Sequence, residues 1–332
     1  MERRLFGNTG LTVSVLGFGC GAVGGLMVRG APADRERAVA RALEAGVNYF
    51  DTAVLYGDGE SERNLGRVIA TLKPADALVG TKVRIPAADF CRIATAVTES
   101  LDGSLRRLRL ECVDVFHLHN TITERGGGET LSADQVLHEV APTFARLRAA
   151  GKTRRLGITA AGDTAALHRV IDAGAFEAAQ VVCNLLNPSA AEPLPPGYPA
   201  QDYGRLLECC AAAGVGTIGI RVLAGGALSG AEGRHPIASA PPQPIGSALS
   251  YQTDLRRAQR LLPLVTEGYA DSLAEAAVRF TLTHRSMSTV LVGMATLDQF
   301  EQALAAVNKG PLPPAAMRRV HALQQSFVGE QR

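Results

Sequence analysis

Three consecutive apolar segments of the chain each end in an ionisable side chain. Residues 48–51 end at Asp51, residues 77–82 end at Lys82, and residues 113–119 end at His119, while Tyr56 follows the first segment by five positions. Short segments rich in β-branched and aromatic residues predict strands. If these strands are parallel neighbours, a carboxylate, an ammonium, an imidazole and a phenol meet at one edge, where they can transfer protons.

This set of groups suits the interconversion of a carbonyl and an alcohol. A neighbouring ammonium stabilises a tyrosine phenolate, so we expect Lys82 to lower the pKa of Tyr56 and Asp51 to hold Lys82 in place. Tyr56 would protonate the developing alkoxide, and His119 would hydrogen-bond the carbonyl oxygen. His117 lies on the same strand face and is expected to be a buried core histidine.

The segments that position these residues alternate between strand and helix. The predicted strands cover residues 15–18, 48–51, 77–82, 113–119, 155–159, 179–183, 215–220 and 289–292. The predicted helices lie near residues 33–45, 60–71, 88–107, 134–150, 163–172, 202–213, 272–284 and 296–307. Residues 296–299 fit a capping box, and residues 3–5 and 12–15 predict an N-terminal β-hairpin. The pattern predicts an α/β fold, a (β/α)8 TIM barrel forming a single domain over residues 1–332.

Two long connections interrupt this regular alternation. Residues 121–132 follow strand 4 and residues 225–250 follow strand 7, where long loops usually wall a pocket. The alternative fold is an open doubly wound sheet, because Gly19, Gly21 and Gly24 match a dinucleotide-binding fingerprint. The next helix is predicted only near Ala33, too far away to present its N-terminus to a pyrophosphate, so the barrel is favoured.

The composition is typical of a folded enzyme-sized protein. Hydrophobic residues make up 46% and charged residues 20%, with a net charge of +2 and no basic tract. Neither a nucleic-acid partner nor a membrane segment is expected. The six cysteines lack zinc-site spacing, and the N-terminus lacks a signal-peptide pattern, so a cytoplasmic location with reduced thiols is expected. We expect no metal site.

Several motifs together resemble the aldo-keto reductase superfamily. The matching stretches are residues 50–53 with 56–57, 59–62, 81–82, 104–108, 113–120, 151–152, 157–159 and 290–293. The resemblance implies a (β/α)8 barrel that binds NADP or NAD across its rim. It also implies a catalytic tetrad at Asp51, Tyr56, Lys82 and His119, the same four residues that the strand argument selects.

The resemblance further implies positions for the cofactor and the substrate. The implied cofactor contacts are Gly19, Thr159, Gln180, Arg221, Leu223, Gly293, Thr296 and Gln299. Ala160 stands where the family has a hydrogen-bonding residue, and Arg221 replaces an aromatic residue that stacks on the nicotinamide. A guanidinium can stack in the same way. We expect the substrate to contact Asn120 and Tyr251.

The predicted cofactor and substrate follow from two absences in the sequence: basic residues near the adenosine end of the cofactor, and aromatic residues for the pocket. No Lys or Arg stands between Val292 and Ala303 to bind a 2′-phosphate, and Asp298 would repel one. The prediction is therefore NAD, or the use of both cofactors, although the family more often uses NADP. Few aromatic residues are available for the pocket, which favours a polar substrate such as an aldose. The alternatives are a metal-dependent hydrolase or lyase and a cofactor-binding regulatory subunit with little turnover.

Overall fold

The computed structural model describes residues 1–231 and 233–332 and contains a closed barrel of eight parallel strands. The barrel strands are β3 (Leu16–Gly19), β4 (Tyr49–Asp51), β5 (Leu78–Val83), β6 (Val113–Leu118), β9 (Thr153–Ala160), β10 (Ala178–Val182), β11 (Gly216–Ile220) and β12 (Thr289–Gly293). Neighbouring strands follow chain order, and β12 closes the ring by pairing with β3. The predicted (β/α)8 barrel is confirmed.

Helices surround the barrel between successive strands. They are α1 (Leu26–Arg29), α2 (Pro32–Glu44), α3 (Glu60–Leu72), α4 (Ile93–Leu108), α5 (Ala133–Gln135), α6 (Ala141–Ala149), α7 (Thr164–Asp172), α8 (Leu206–Ala212), α9 (Tyr251–Gln259), α10 (Pro263–Thr266), α11 (Leu273–Thr283), α12 (Leu297–Asn308) and α13 (Pro314–Gln325). Their apolar faces pack on the outer face of the strands in one continuous core. Every barrel strand is therefore covered on both faces, as parallel sheets require.

The N-terminal hairpin, β1 (Arg3–Leu5) with β2 (Thr12–Ser14), plugs one end of the barrel. Phe6 is fully buried, and its ring centroid lies 6.2 Å from that of Tyr49 inside the barrel. The backbone N–H of Asn8 also donates to the carbonyl of Gly214, just before β11. This end is therefore filled with apolar side chains, which leaves the opposite end for chemistry.

The predicted element boundaries differ from the structure in several places. Strand β9 begins at Thr153, earlier than predicted, and helix α8 begins only at Leu206. The predicted helix over residues 134–150 contains a π-helical turn at Val136–Val140 between α5 and α6. Helices α1, α9, α10 and α13 were not predicted. The loop after β6 contains a two-residue pair of strands, β7 (Ile122–Thr123) with β8 (Leu131–Ser132).

The start of α12 carries half of the predicted capping box. The Thr296 side chain accepts a hydrogen bond from the Gln299 N–H, as expected at an N-cap. The Gln299 side chain reaches back to the Ala295 N–H at 2.7 Å instead of to that of Thr296. In the described parts of the chain, no helix combines the length and the apolar character needed to cross a bilayer.

Candidate functional site

Each of the eight barrel strands brings one of the predicted site residues to the open end of the barrel. In strand order these residues are Gly19, Asp51, Lys82, His119, Thr159, Gln180, Arg221 and Gly293. Each lies at the last residue of its strand, one residue past it, or one or two residues before its end. The structure therefore brings together groups that are spread over more than 270 positions of sequence, as barrel geometry dictates.

A buried ion pair lies at the centre of this end. The Lys82 Nζ atom donates to Asp51 Oδ1 at 2.5 Å, to the Thr52 carbonyl at 2.8 Å and to the Tyr56 hydroxyl oxygen at 3.2 Å. All three ammonium protons therefore have partners, and the side chain is fully buried. Burial alone would lower the pKa of Lys82, but Asp51 and Tyr56 outweigh it and raise that pKa. Lys82 is a fixed cation.

The second oxygen of Asp51 extends this network across the barrel. It accepts a hydrogen bond from Gln180 Nε2 at 2.6 Å, and the Gln180 carbonyl oxygen accepts one from the Thr159 hydroxyl at 3.2 Å. The amide of Gln180 is thus oriented by two protein partners. One N–H of Gln180 remains for a ligand, so this network fixes the rotamer of a residue that also lines the cavity.

Tyr56 is held by a tight turn between β4 and α3. Gly57, Asp58 and Gly59 all have positive φ, at 66°, 51° and 81°. The turn is anchored where α3 begins, because the Ser61 hydroxyl donates to the Cys20 carbonyl at 2.9 Å and pairs with the Thr52 hydroxyl. Glycine adopts such angles without a steric penalty, so Gly57 and Gly59 allow the tight turn and only Asp58 carries a backbone cost.

The pKa of Tyr56 moves in the direction opposite to the sequence-based expectation. Burial raises it above the ordinary value, and the Lys82 ammonium only partly opposes this. The charge of Lys82 does act to lower the pKa of Tyr56, as expected, but burial raises that pKa by more. The hydroxyl of Tyr56 is fully protonated at neutral pH, which makes this group a proton donor in its resting state.

His119 faces Tyr56 across the site, with ring centroids 6.1 Å apart and ring planes nearly perpendicular. Burial lowers the pKa of His119 to about 3, helped by the charges of Lys82, Arg84 and Arg221. The imidazole is therefore neutral and can donate or accept a hydrogen bond, but it is no proton reservoir near pH 7.

His117 lies one layer deeper, inside the barrel. It is fully buried, and its Nε2 atom lies 3.4 Å from the Tyr49 hydroxyl. Burial lowers the pKa of His117 well below its ordinary value. It does not line the cavity, and its surroundings match those of the predicted core histidine.

A cavity of about 750 Å³ opens beside these residues. It reaches from Asp51, Tyr56 and His119 to Gln302 and Ala306 on α12. The loop after β11 supplies much of its wall, as predicted for residues 225–250. The loop over residues 121–132 supplies none of the wall. A cavity of this size that joins the polar network to one side of α12 fits an extended dinucleotide.

The predicted cofactor contacts are placed unequally around this cavity. Leu223, Gly293 and Gln299 line it together with Gly19, Thr159, Gln180 and Arg221. Thr296 does not, because its side chain caps α12. Tyr251, predicted to contact substrate, lines the cavity and lies beneath the guanidinium of Arg234 at 5.9 Å from the ring centroid.

Asn120, the other predicted substrate contact, does not reach the cavity. Its side-chain oxygen accepts from the Ile85 N–H at 2.8 Å, and its nitrogen donates to the Ile85 carbonyl at 2.7 Å. The residue is buried and is absent from the cavity lining. Its side-chain amide thus makes the pair of hydrogen bonds that a neighbouring strand would make, and it connects the loop after β5 to the end of β6. Asn120 therefore lies outside the cavity, in contrast to the prediction that it contacts substrate.

Sequence reasoning missed how the cavity wall is fastened. Arg234 donates to the carbonyls of Ser239, Gly225 and Val23, and Arg29 donates to the carbonyl of Ile237. The bonds from Arg234 to Val23 and from Arg29 to Ile237 join the loop after β11 to the segment after β3, and the other two hold the loop after β11 together. No motif signals them, because an arginine that binds backbone carbonyls leaves no pattern in the sequence.

Tyr56 can donate a proton into a cavity large enough for a dinucleotide, and Lys82 can stabilise the charge that remains. Such a site suits hydride transfer to or from a nicotinamide. Residues 15–325 match the profile of the Aldo/keto reductase family. The chain belongs to that family. Its relatives therefore bear directly on the class of reaction.

Two curated relatives match almost end to end. L-galactose dehydrogenase of Arabidopsis thaliana is 31% identical, covering 93% of this chain and 89% of its own. Pyridoxal 4-dehydrogenase of Microbacterium luteolum is 28% identical, covering 91% of each. The protein is an NAD(P)-dependent oxidoreductase that interconverts carbonyl and alcohol groups, which confirms the predicted reaction class over a metal-dependent hydrolase. Among residues 1–231 and 233–332, no three His, Cys, Asp or Glu side chains are grouped to hold a metal ion.

A solved structure supports the fold independently. The holo form of an aldo-keto reductase from Bacillus halodurans superposes with a TM-score of 0.71. The alignment covers 97% of this chain and 96% of the other at 23% identity. The likeness at this level of identity establishes a shared barrel.

The position of Asn120 gives a testable distinction between a structural and a substrate-binding role. Asn120→Ala removes two buried hydrogen bonds to Ile85, so we expect the free energy of unfolding to fall by about 2–3 kcal/mol. The kcat/KM of the folded protein should change by less than about threefold. Urea unfolding and steady-state kinetics measure the two quantities. Normal stability with a large drop in kcat/KM would return Asn120 to the substrate site.

Proposed function

We propose that Tyr56 is the general acid and base of this oxidoreductase. The observation that carries the proposal is the direction of the Lys82–Tyr56 hydrogen bond. Lys82 can only donate, so the Tyr56 oxygen accepts, and the hydroxyl proton of Tyr56 is left free to point at the cavity. A proton held in that position can pass to a carbonyl oxygen as it gains negative charge.

Asp51 and Lys82 support this transfer without taking part in it. The ammonium stabilises the phenolate that Tyr56 becomes after giving up its proton, and Asp51 keeps the ammonium charged and oriented. The nicotinamide, when bound, supplies or accepts the hydride. In the direction of alcohol oxidation, Tyr56 must first lose its proton to solvent, and the phenolate that Lys82 stabilises then removes the hydroxyl proton.

His119 is proposed to orient the substrate oxygen. A neutral imidazole can donate one hydrogen bond to that oxygen from the side opposite Tyr56. Because the pKa of His119 is about 3, its protonated form is negligible at neutral pH. This difference in pKa is what assigns proton transfer to Tyr56 and positioning to His119.

We further propose a preference for NAD over NADP. Gln299 and Gln302, which line the cavity at α12, are neutral. Two cations that contact or follow α12 are already paired, since Arg41 binds Glu301 of α12 at 2.6 Å and Lys309, directly after α12, binds Glu275 at 2.7 Å. A 2′-phosphate would therefore find no unpaired cation on this wall among the described residues, and its charge would be costly to bury.

The substrate proposed is an aldose or a similar polyhydroxy compound. Among the described residues, the aromatic rings in the cavity wall are those of Tyr56, Tyr251, His119 and His235. The guanidinium of Arg221, which also lines the cavity, has no hydrogen-bond partner within the described residues. Such a wall can hydrogen-bond hydroxyl groups and offers little area for stacking. The relative named L-galactose dehydrogenase acts on a sugar, which supports this choice.

The role of Tyr56 is tested by removing only its hydroxyl. Tyr56→Phe should lower kcat by about 10²–10⁴-fold, the usual contribution of a positioned general acid. The dissociation constant of the cofactor, measured by isothermal titration, should stay within about threefold of wild type. The matched control Tyr251→Phe should keep its kcat within about tenfold. Retention of full kcat by Tyr56→Phe would refute the proposal.

The cofactor and substrate preferences are tested together in the wild-type protein. NADH should bind at least about tenfold more tightly than NADPH, because no cation compensates the extra phosphate. With NAD, aldoses should be oxidised with a higher kcat/KM than benzyl alcohol. Tighter binding of NADPH, or turnover confined to aromatic compounds, would show that these finer proposals are wrong while leaving the reaction class intact.

A further inference from the structure

A second cavity lies on the outer face of the barrel and is lined almost entirely by arginines. It has a volume of about 310 Å³. Its lining consists of Arg63, Arg67, Gly103, Arg106, Arg107 and Arg109. These residues come from α3 and from α4 with the position that follows it. No residue lines both this cavity and the larger one, so the arginine cavity is separate from the oxidoreductase site.

Two of the five guanidiniums are neutralised by neighbouring carboxylates. Arg63 binds Glu60 at 2.7 Å, and Arg107 binds the buried Glu62 at 2.6 Å. Glu62 also accepts from the Thr81 hydroxyl, which joins α3 to β5. The pair between Arg107 and Glu62 therefore has a structural purpose in holding the helix on the barrel.

The other three guanidiniums are uncompensated. The only partner of Arg67 among the described residues is the neutral Asn64, whose side-chain oxygen lies 3.3 Å away. Arg106 and Arg109 are exposed and have neither an ion pair nor a side-chain hydrogen bond in the described structure. The cavity thus carries about three unpaired positive charges, more than the net charge of +2 of the whole chain. Such a concentration of like charge attracts anions.

We propose that the arginine cavity binds a small anion carrying two or more phosphate groups. Guanidinium groups donate paired hydrogen bonds in a planar fork that matches phosphate oxygens. Three unpaired guanidiniums around one cavity, those of Arg67, Arg106 and Arg109, can hydrogen-bond two phosphate groups at once. The arginines surround one small, shallow depression, which favours a compact polyphosphate over a membrane or a duplex, because either of those would need an extended basic surface.

The site is also connected to the turn that carries Tyr56. Arg63 donates to the backbone carbonyl of Asp58 at 3.1 Å, two residues after Tyr56. Arg107 packs against Gly59, where an added Cβ atom would lie 2.6 Å from its side chain. An anion bound in the arginine cavity would therefore lie next to the turn that carries Tyr56, outside the larger cavity that holds the reacting groups.

The test is isothermal titration of inorganic pyrophosphate into wild type and a double variant at physiological ionic strength. Arg67→Gln with Arg106→Gln removes two free guanidiniums from exposed helical positions, so folding should be preserved. The matched control, Arg125→Gln with Arg318→Gln, removes the same charge from exposed positions elsewhere. Pyrophosphate bound in the larger cavity would affect all three proteins alike, so only the difference between them reports on the arginine cavity.

We expect wild type and control to bind equally and the double variant to bind about a hundredfold more weakly, about tenfold for each guanidinium removed. Equal binding by the double variant, or no binding by wild type, would overturn the proposal. Two further ligands are titrated separately: vesicles containing phosphatidylserine, and a short DNA duplex. If either bound in an Arg67- and Arg106-dependent manner while pyrophosphate did not, the surface would belong to a macromolecule and the small-anion assignment would be wrong.

Discussion

The buried pair between Lys82 and Asp51 is the interaction on which the site depends. Two charges inside a barrel are stable only when every donor and acceptor has a partner. The Thr52 carbonyl, Tyr56 and Gln180 supply those partners, so the need to satisfy the pair also fixes the catalytic tyrosine and a cavity-lining amide. The same hydrogen bonds that stabilise the buried charges of Lys82 and Asp51 also position Tyr56 and Gln180.

Much of the fold was predictable because its signals are local. Alternating apolar strands and amphipathic helices repeat over most of the chain, and parallel strands must end at one edge, so Asp51, Lys82 and His119 could be brought together without coordinates. Segment boundaries were less accurate. The π-helical turn at Val136–Val140 lies within a segment predicted as one helix. Helix α8 begins late because the carbonyls of Asp202 and Tyr203 bond to the side chains of Thr164 and His168.

The parts of the site that could not be predicted depend on contacts between distant segments. Asn120 follows the strand that leads to His119, yet its side-chain amide hydrogen-bonds the backbone of Ile85, 35 residues away in the sequence. The sign of the Tyr56 pKa shift is another case, because it is a balance between burial and the Lys82 charge. A sequence identifies the neighbouring charge but not the depth of burial. The arginine cavity, likewise, arises only when α3 packs on α4.

The most direct test of the central claim is to titrate Tyr56 itself. In protein labelled with ¹³C at the tyrosine Cζ position, the Tyr56 signal is assigned by its disappearance in Tyr56→Phe and followed with pH. The account predicts a midpoint above the ordinary value of 10, moving further upward in Lys82→Met, where burial acts without the opposing ammonium. A wild-type midpoint below 10, or one unaffected by removing Lys82, would contradict it.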